Sequence, residues 1–193
     1  FSDPTTLGYR FGENFFSELG FLTANNGEPN PVAAGLFFVA LNLAGSSLIL
    51  FSLGFRAYFQ GSARLRAISG AGTLAGVASG LCFMGVAFTP ADILLDAHVF
   101  FFTWAFRLFP VAAGLFAWAV FAHPTYPRRG GWLFVGFAVL LVGYVLLLEL
   151  GPSAMDSRQG QLVQVAGQKV IVYCSIASVM LQAWWARGDQ GEL

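Results

Sequence analysis

Charged residues are scarce in this chain of 193 residues, of which only 10% are lysine, arginine, aspartate or glutamate. Soluble globular proteins carry roughly a quarter charged residues. The 10 basic and 10 acidic side chains also cancel to a net charge of zero, and the sequence has no basic patch with interleaved aromatic residues. These deficits argue against a soluble domain and against a nucleic-acid-binding protein.

Histidine and cysteine are just as rare, with two residues of each kind. His98 and His123 face opposite sides of the membrane in the orientation derived below, which excludes a multi-histidine zinc site and a bis-histidine haem site. Cys82 and Cys174 are isolated within apolar runs and predict no structural disulfide. GxSxG, P-loop and dinucleotide-binding motifs are also lacking. We therefore expect neither a metal nor a cofactor.

Hydrophobic residues, by contrast, make up 56% of the chain and are concentrated in five long runs. A helix needs about 20 apolar residues to cross the hydrocarbon core of a bilayer. The runs that meet this length cover residues of about 31–55, 65–88, 97–122, 131–150 and 162–186. The links between them are short, so neighbouring helices run antiparallel and no second domain fits. Residues 1–193 thus predict one all-α polytopic transmembrane helical bundle, preceded by an N-terminal segment, 1–30.

The basic residues indicate which way the bundle faces, because lysine and arginine in short links are retained on the cytoplasmic side. Alternate links and the end of the fifth run hold Arg56, Arg64, Arg66, Arg128, Arg129 and Arg187. The remaining segments hold most of the acidic residues, namely Glu13, Glu18, Glu28, Asp92, Asp96 and Asp156. We therefore expect an integral membrane protein with residues 1–30 outside and the C-terminus in the cytoplasm.

Three stretches carry a resemblance to a known family: "GENFFSELGFL", "NPVAAGLFFVALNLAGSSLILFSLGF" and "GVAFTPADILLDAH". They resemble a prokaryotic membrane family of six helices, domain of unknown function 998. In that family a Ser-Asp-Leu-Gly segment follows the first helix, an Asn-Pro opens the second, and a Phe-Pro-x-Asp turn with a nearby histidine follows the third. Here residues 17–20 read Ser-Glu-Leu-Gly, and the turn at residues 88–92 has one inserted residue.

The resemblance implies a prokaryotic inner or plasma membrane and a sixth helix upstream of Phe1. A signal peptide that has been removed is the alternative explanation for a sequence that starts without methionine. We favour the sixth helix, because it places both termini on the cytoplasmic side. The resemblance supplies no reaction, since the activity of the family is not established.

Glycines recur in the second run at a spacing that predicts close helix packing. Gly72, Gly76 and Gly80 are four residues apart and form one smooth helix face. Small residues let the backbones of membrane helices approach closely. This face serves either for packing inside the bundle or for dimerisation, and we favour packing inside the bundle because such contacts are general in multi-pass proteins.

Polar residues recur every seven positions along the fifth run, at Gln161, Gln168, Ser175 and Gln182. On a helix this spacing gives a nearly straight polar stripe, which we expect to face the interior of the bundle. The stripe is predicted either to hydrogen-bond with polar residues of the first run, Asn42, Ser46 and Ser47, or to line a wet cavity. Lys169 lies one position off the stripe, and its long side chain can extend its ammonium group towards the nearer membrane surface.

One arginine, Arg107, lies near the middle of the third run, where an unpaired charge costs about 2.5–3.5 kcal/mol. We therefore expect it to be buried in the bundle and paired with a carboxylate of Asp96, Glu149, Glu13 or Glu18. The predicted buried polar cluster comprises Arg107, Thr103, Lys169, Gln168 and Glu149.

Catalysis would have to use the outer rim, where acidic residues and a histidine occur close together. The candidates are Asp92, Asp96, His98 and Glu18, with Ser17 as a nucleophile. A single histidine beside aspartate is, however, more typical of a polar residue with a structural partner.

Three classes of function remain. The sequence favours a non-catalytic membrane subunit or scaffold, whose partners are membrane lipids and other membrane protein subunits. The alternative is a lipid-modifying enzyme with an acidic and histidine site at the outer face. A small transporter is less favoured, because the runs show no inverted internal repeat.

Overall fold

The computed structural model describes residue 5 and residues 8–188, with side chains up to residue 185. Five long α-helices follow one another in the chain: α1 (Pro31–Arg56), α2 (Ala63–Phe88), α3 (Leu95–Ala122), α4 (Arg128–Leu150) and α5 (Arg158–Gly188). Each is long and apolar enough to cross a membrane, as an integral membrane protein requires. The predicted class, an all-α protein with five spans in this chain, is confirmed. The sixth helix stays a prediction.

The helices extend beyond the apolar runs by a few residues, chiefly at their N-termini. Helices α4 and α5 begin three and four residues before the runs predicted at 131–150 and 162–186. The reason is that apolarity marks only the part of a helix that contacts hydrocarbon, whereas backbone hydrogen bonds continue into polar flanks. At the start of α2, for example, the hydroxyl of Ser62 accepts a hydrogen bond from the Leu65 amide and caps the helix.

Helix α2 is the centre of the packing, with α1 on one side and α3 on the other. Helix α3 then packs against α4, and α4 against α5, whereas α1 and α5 touch each other only slightly. The two ends of the bundle carry different charged residues. We call the end with Glu18, Asp92 and Glu149 the acidic end, and the end with Arg64 and Arg129 the basic end.

The glycine face of α2 lies at two helix contacts within the chain. A side-chain carbon on Gly80 would lie 2.7 Å from the carbonyl oxygen of Gly45 in α1, and one on Gly72 would lie 3.2 Å from Phe116 in α3. A side-chain carbon on Gly76 would collide with Ser52. A side chain would therefore clash at Gly76 and Gly80 and would be tightly packed at Gly72, so the glycines serve to bring α1 and α3 close to α2.

Two hydroxyl groups of α2 connect it to its neighbours. Ser79 donates a hydrogen bond to the carbonyl oxygen of Ala105 at 2.8 Å. The hydroxyl of Thr73 lies 3.1 Å from the carbonyl oxygen of Ser52 and shares its proton between that acceptor and the carbonyl oxygen of Ser69 in its own helix, at 2.8 Å. Both hydroxyls are buried. Such bonds satisfy polar groups that have no access to water, and they join α2 to α1 and α3.

Candidate functional site

The N-terminal segment, residues 8–30, folds over the acidic end of the bundle. Its short 3₁₀ helix, Phe16–Gly20, packs against α1 and contacts α5. The polar stripe of α5 binds this segment: Gln161 donates to the carbonyl oxygen of Glu13 at 3.0 Å, and the Phe16 amide donates to the Gln168 side chain at 2.7 Å. The stripe is therefore engaged by the segment at this end.

The remaining polar residues of the α5 stripe also form hydrogen bonds elsewhere than to their expected partners in α1. Near the basic end Gln182 donates to the carbonyl oxygen of Gly130 in α4, at 2.7 Å, and Ser175 donates to its own helix. The amide of Asn42, an expected partner, likewise bonds to its own helix, at Phe38. The expectation of glutamine bonds to α1 is wrong, because α5 packs mainly on α4 and hardly touches α1.

Lys169 is buried beneath the N-terminal segment, with only 6% of its surface exposed. Its ammonium group donates to the carbonyl oxygen of Asn14 at 2.6 Å. It also lies 4.6 Å from the ring centre of Phe16, 4.9 Å from that of Phe11 and 5.6 Å from that of Tyr9. Such ring faces attract a cation. The segment therefore supplies both a hydrogen-bond acceptor and an aromatic cage for the buried charge.

Tyr9 shares the acceptor of Lys169, because its hydroxyl also donates to the carbonyl oxygen of Asn14, at 3.1 Å. Burial raises the pKa of Tyr9 to about 12, and the nearby Glu18 and Tyr173 contribute to the rise. The phenol is neutral at physiological pH even at its ordinary pKa, and the raised pKa keeps it a hydrogen-bond donor in more alkaline solution as well.

Two of the three candidate catalytic carboxylates stabilise the segment itself. Glu18 accepts hydrogen bonds from the Phe15 amide at 2.7 Å and from the side chains of Asn14 and Asn25 at 2.7 and 2.6 Å. Asp92 accepts from two successive amides of the segment, Leu22 and Thr23, at 2.9 and 3.0 Å. Both carboxylates therefore hold the polypeptide in place over the acidic end.

The third carboxylate, Asp96, is exposed in the first turn of α3, where a negative charge interacts favourably with the helix dipole. His98 follows in the same helix but is buried, with 6% exposure. Its Nδ1 lies 2.6 Å from the carbonyl oxygen of Thr89. A carbonyl oxygen only accepts hydrogen bonds, so Nδ1 carries a proton and Nε2 is the acceptor of the neutral ring.

His98 lines a cavity of about 320 Å³ at the acidic end, between the N-terminal segment and the ends of α1 and α2. Ser17 lines the same cavity. The remaining wall is largely apolar and includes Ala34, Gly35, Phe37, Phe38, Val86 and Ala87. The volume is at the lower end of the range for small-molecule sites, about 300–1,000 Å³. The cavity can therefore hold an apolar group together with one or two hydrogen-bonding atoms.

The predicted buried cluster of five residues is not formed. Gln168 and Lys169 are buried under the segment, but Arg107 pairs with Glu149 at the surface of the bundle, where each side chain is 45% exposed. Thr103 is only half-buried. The long side chain of Arg107 reaches Glu149 in the last turn of α4, so its charge is neutralised at the surface and the guanidinium group does not need to enter the bundle.

The candidate catalytic residues lie at one end of the bundle but have separate partners. In serine hydrolases a carboxylate orients the histidine through Nδ1, whereas here a backbone carbonyl does so. Within the described part of the chain, no group of three or more histidine, cysteine or acidic side chains is placed to hold a metal ion. The arrangement is suited to holding the segment and to binding a ligand in the cavity.

Sequence reasoning missed Asn14 and the aromatic residues around Lys169. One signal was available: a buried lysine requires partners, and the polar N-terminal segment contains an unusual number of aromatic residues, including Tyr9, Phe11 and Phe16. The pairing itself joins residues that are far apart in the chain, so their spacing does not reveal it. Comparison with known proteins found no matching family model, curated protein or solved structure.

Proposed function

We propose that this chain is a non-catalytic membrane subunit or scaffold that packs against lipids and other membrane helices. The observation that carries the proposal is the use of ionisable side chains at the acidic end. Glu18, Asp92 and Lys169 are all bound to the N-terminal segment. Residues that hold a segment in this way stabilise a rigid surface, whereas a general acid or base needs access to its substrate.

The subunit role is tested by extracting the protein from its native membrane with a styrene–maleic acid polymer and measuring intact masses. The proposal expects particles in which the chain is present with other protein chains at fixed stoichiometry. Particles that contain a single copy of the chain and lipid alone would overturn it. An unrelated membrane protein in the same membrane serves as the control, because its presence in the particles would reveal random co-extraction.

The orientation belongs to the same proposal: the acidic end faces outward and the basic end faces the cytoplasm of a prokaryotic cell. The resemblance to the six-helix family and the distribution of arginine support it. Ser62 at the basic end and Ser153 at the acidic end are both exposed. In intact cells an impermeant thiol reagent should label Ser153→Cys but not Ser62→Cys. Labelling of Ser62→Cys alone would reverse the orientation.

A lipid-modifying enzyme is the second candidate, and one observation favours it: Ser17 and His98 line the same cavity. In this scheme the Ser17 hydroxyl attacks the carbonyl carbon of a lipid ester, and Nε2 of His98 accepts its proton and passes it to the alcohol that leaves as the ester bond breaks. Water then hydrolyses the acyl-serine and releases the fatty acid. The test is hydrolysis of a fluorogenic long-chain ester by the protein in nanodiscs. Turnover that Ser17→Ala abolishes would establish the enzyme, and turnover that is equal in both proteins, or absent, would exclude it.

A further inference from the structure

We infer that the cavity beside His98 binds the hydroxyl end of a single-chain lipid alcohol. This inference rests on the lipid-binding part of the proposed function and names the class of lipid. His98 lines the cavity and its Nδ1 is bonded to Thr89, so the ring nitrogen left for a ligand is Nε2, which is an acceptor when the ring is neutral. A hydroxyl group can donate to it, whereas a phosphodiester, a ketone or an ether cannot.

Among the residues that the structure describes, the side chains along the cavity wall are apolar apart from His98 and Ser17, and none of them is a lysine, an arginine or a carboxylate. A charged headgroup would lose its hydration in such a site without gaining a partner. A neutral hydroxyl group needs only one or two hydrogen bonds, which His98 and Ser17 are chemically able to supply. The wall therefore favours a neutral lipid over a phospholipid or a free fatty acid.

The cavity is partly lined by Phe38, which is 39% exposed and contacts the ring of Phe88 edge-to-face at 4.9 Å. Phe88 is itself 61% exposed. These two rings form an apolar surface that continues from the cavity to the outside of the bundle. An acyl chain too long for a cavity of about 320 Å³ can lie along this surface.

Along α1 the cavity is lined from Pro31, the first residue of the helix, to Phe38, which lies seven residues later and about 10 Å further along the helix axis. The cavity therefore extends from the end of the helix towards the middle of the apolar span, the direction in which the acyl chain of a bound lipid can lie.

The experiment uses the full chain in phosphatidylcholine nanodiscs and a hexadecanol analogue that carries a diazirine and an alkyne in its chain. The matched probe is the methyl ether of the same analogue, which keeps the chain and loses the hydrogen-bond donor. We expect the alcohol to label the peptides of α1 and α2 at the acidic end about tenfold more than the ether, as loss of a buried hydrogen bond implies. Equal labelling by the two probes would overturn the inference.

Two glycines of α1 give matched variants, because a side-chain carbon on either would meet no atom within 4 Å. Gly35 lines the cavity and Gly54 does not. Gly35→Leu should abolish the preference for the alcohol, while Gly54→Leu should keep it. Retention of the preference in Gly35→Leu would remove the cavity from consideration. His98→Phe, which removes the acceptor, should make the two probes label equally.

The outcome is separable from that of the subunit experiment. Fixed-stoichiometry particles together with equal labelling by alcohol and ether would refute the lipid site alone. A clear preference for the alcohol in a chain that is extracted without other proteins would refute the subunit role alone.

Discussion

The two ends of the bundle are closed by different chemistry. At the basic end aromatic rings pack around Phe55, whose ring centre lies 5.2 Å from those of Phe59 and Phe116 and 5.3 Å from that of Phe134. The arginines of that end stay at the rim, where Arg64 lies over Trp118. At the acidic end a polar segment is held by buried side chains. Many small contacts therefore close one end, and a few specific bonds close the other.

The contrast has a physical consequence for sensitivity to mutation. Dispersion contacts are individually weak and are shared among many atoms, so a packed aromatic cluster loses stability in proportion to the volume removed. A buried ammonium group with one oxygen acceptor depends on that acceptor, because an unpaired buried charge is costly. The basic end should therefore control global unfolding, and the acidic end should open locally.

The largest loss of folded protein is expected from a substitution in the middle of the bundle, where the glycine face of α2 packs against α1 and α3. Gly76→Leu should greatly reduce the yield of folded protein, because its side chain would collide with Ser52. The neighbouring Val77 is only half-buried, so Val77→Leu is the control. Yields are compared by size-exclusion chromatography in detergent. Similar yields would show that α1 and α2 are not closely packed.

At the basic end, Phe55→Ala should destabilise the whole bundle by about 3–5 kcal/mol, because it leaves a cavity among several rings. The thermal unfolding temperature in detergent measures the effect. Leu53→Ala, at a position that is 53% exposed in the same helix, should change it little. If the two variants unfold at the same temperature, the aromatic cluster does not dominate stability at this end.

At the acidic end, Lys169→Met should loosen the N-terminal segment by about 1–3 kcal/mol while the helices stay folded. The variant loses the bond to Asn14 and the attraction of the aromatic cage. Hydrogen exchange of the Phe16 amide, which donates to Gln168, reports the loss directly. Val170→Met, at a position that is 57% exposed, is the control. Unchanged protection in Lys169→Met would show that the segment is held by other contacts.

The smallest effect concerns the ion pair on the surface of the acidic half. Glu149→Gln should lower the unfolding temperature more than Arg107→Met, because it leaves the charge of Arg107 without its carboxylate partner. Both changes should be small, because the pair is only half-buried and the long side chain of Arg107 can extend towards the polar surface of the membrane. Nanodiscs provide the bilayer for this comparison. A larger loss in Arg107→Met would mean that Arg107 stabilises the bundle beyond its pairing with Glu149.

Much of the architecture was predictable from local properties. Five apolar runs predicted the five helices, because a helix that crosses the hydrocarbon core needs about 20 consecutive apolar residues. The four-residue spacing of Gly72, Gly76 and Gly80 predicted a close contact, because positions four residues apart share a helix face. The helix ends were less accurate, since polar first turns carry no apolar signal.

The candidate site was predictable only in part. The polar stripe on α5 follows from a seven-residue spacing, and burial of Gln168 and Gln182 follows from that stripe. The partners did not follow, because spacing along one helix says nothing about which segment will cover it. The charge of Arg107 and its position in the middle of an apolar run predicted that it needs a carboxylate partner. Which carboxylate it pairs with, Glu149, depends on the length of the arginine side chain and on the position of α4 in the bundle.

The sequence by itself determined the class of the protein, the number of helices and the residues that require polar partners, because these depend on composition and on period along a helix. Only the tertiary structure decided where those partners are. Phe16 and Gln168 are 152 residues apart in the chain, and Asn14 and Lys169 are 155 apart. Bonds over such separations form only when α1 and α5 bring the N-terminal segment and the buried lysine to the same end of the bundle, and no local pattern encodes that meeting.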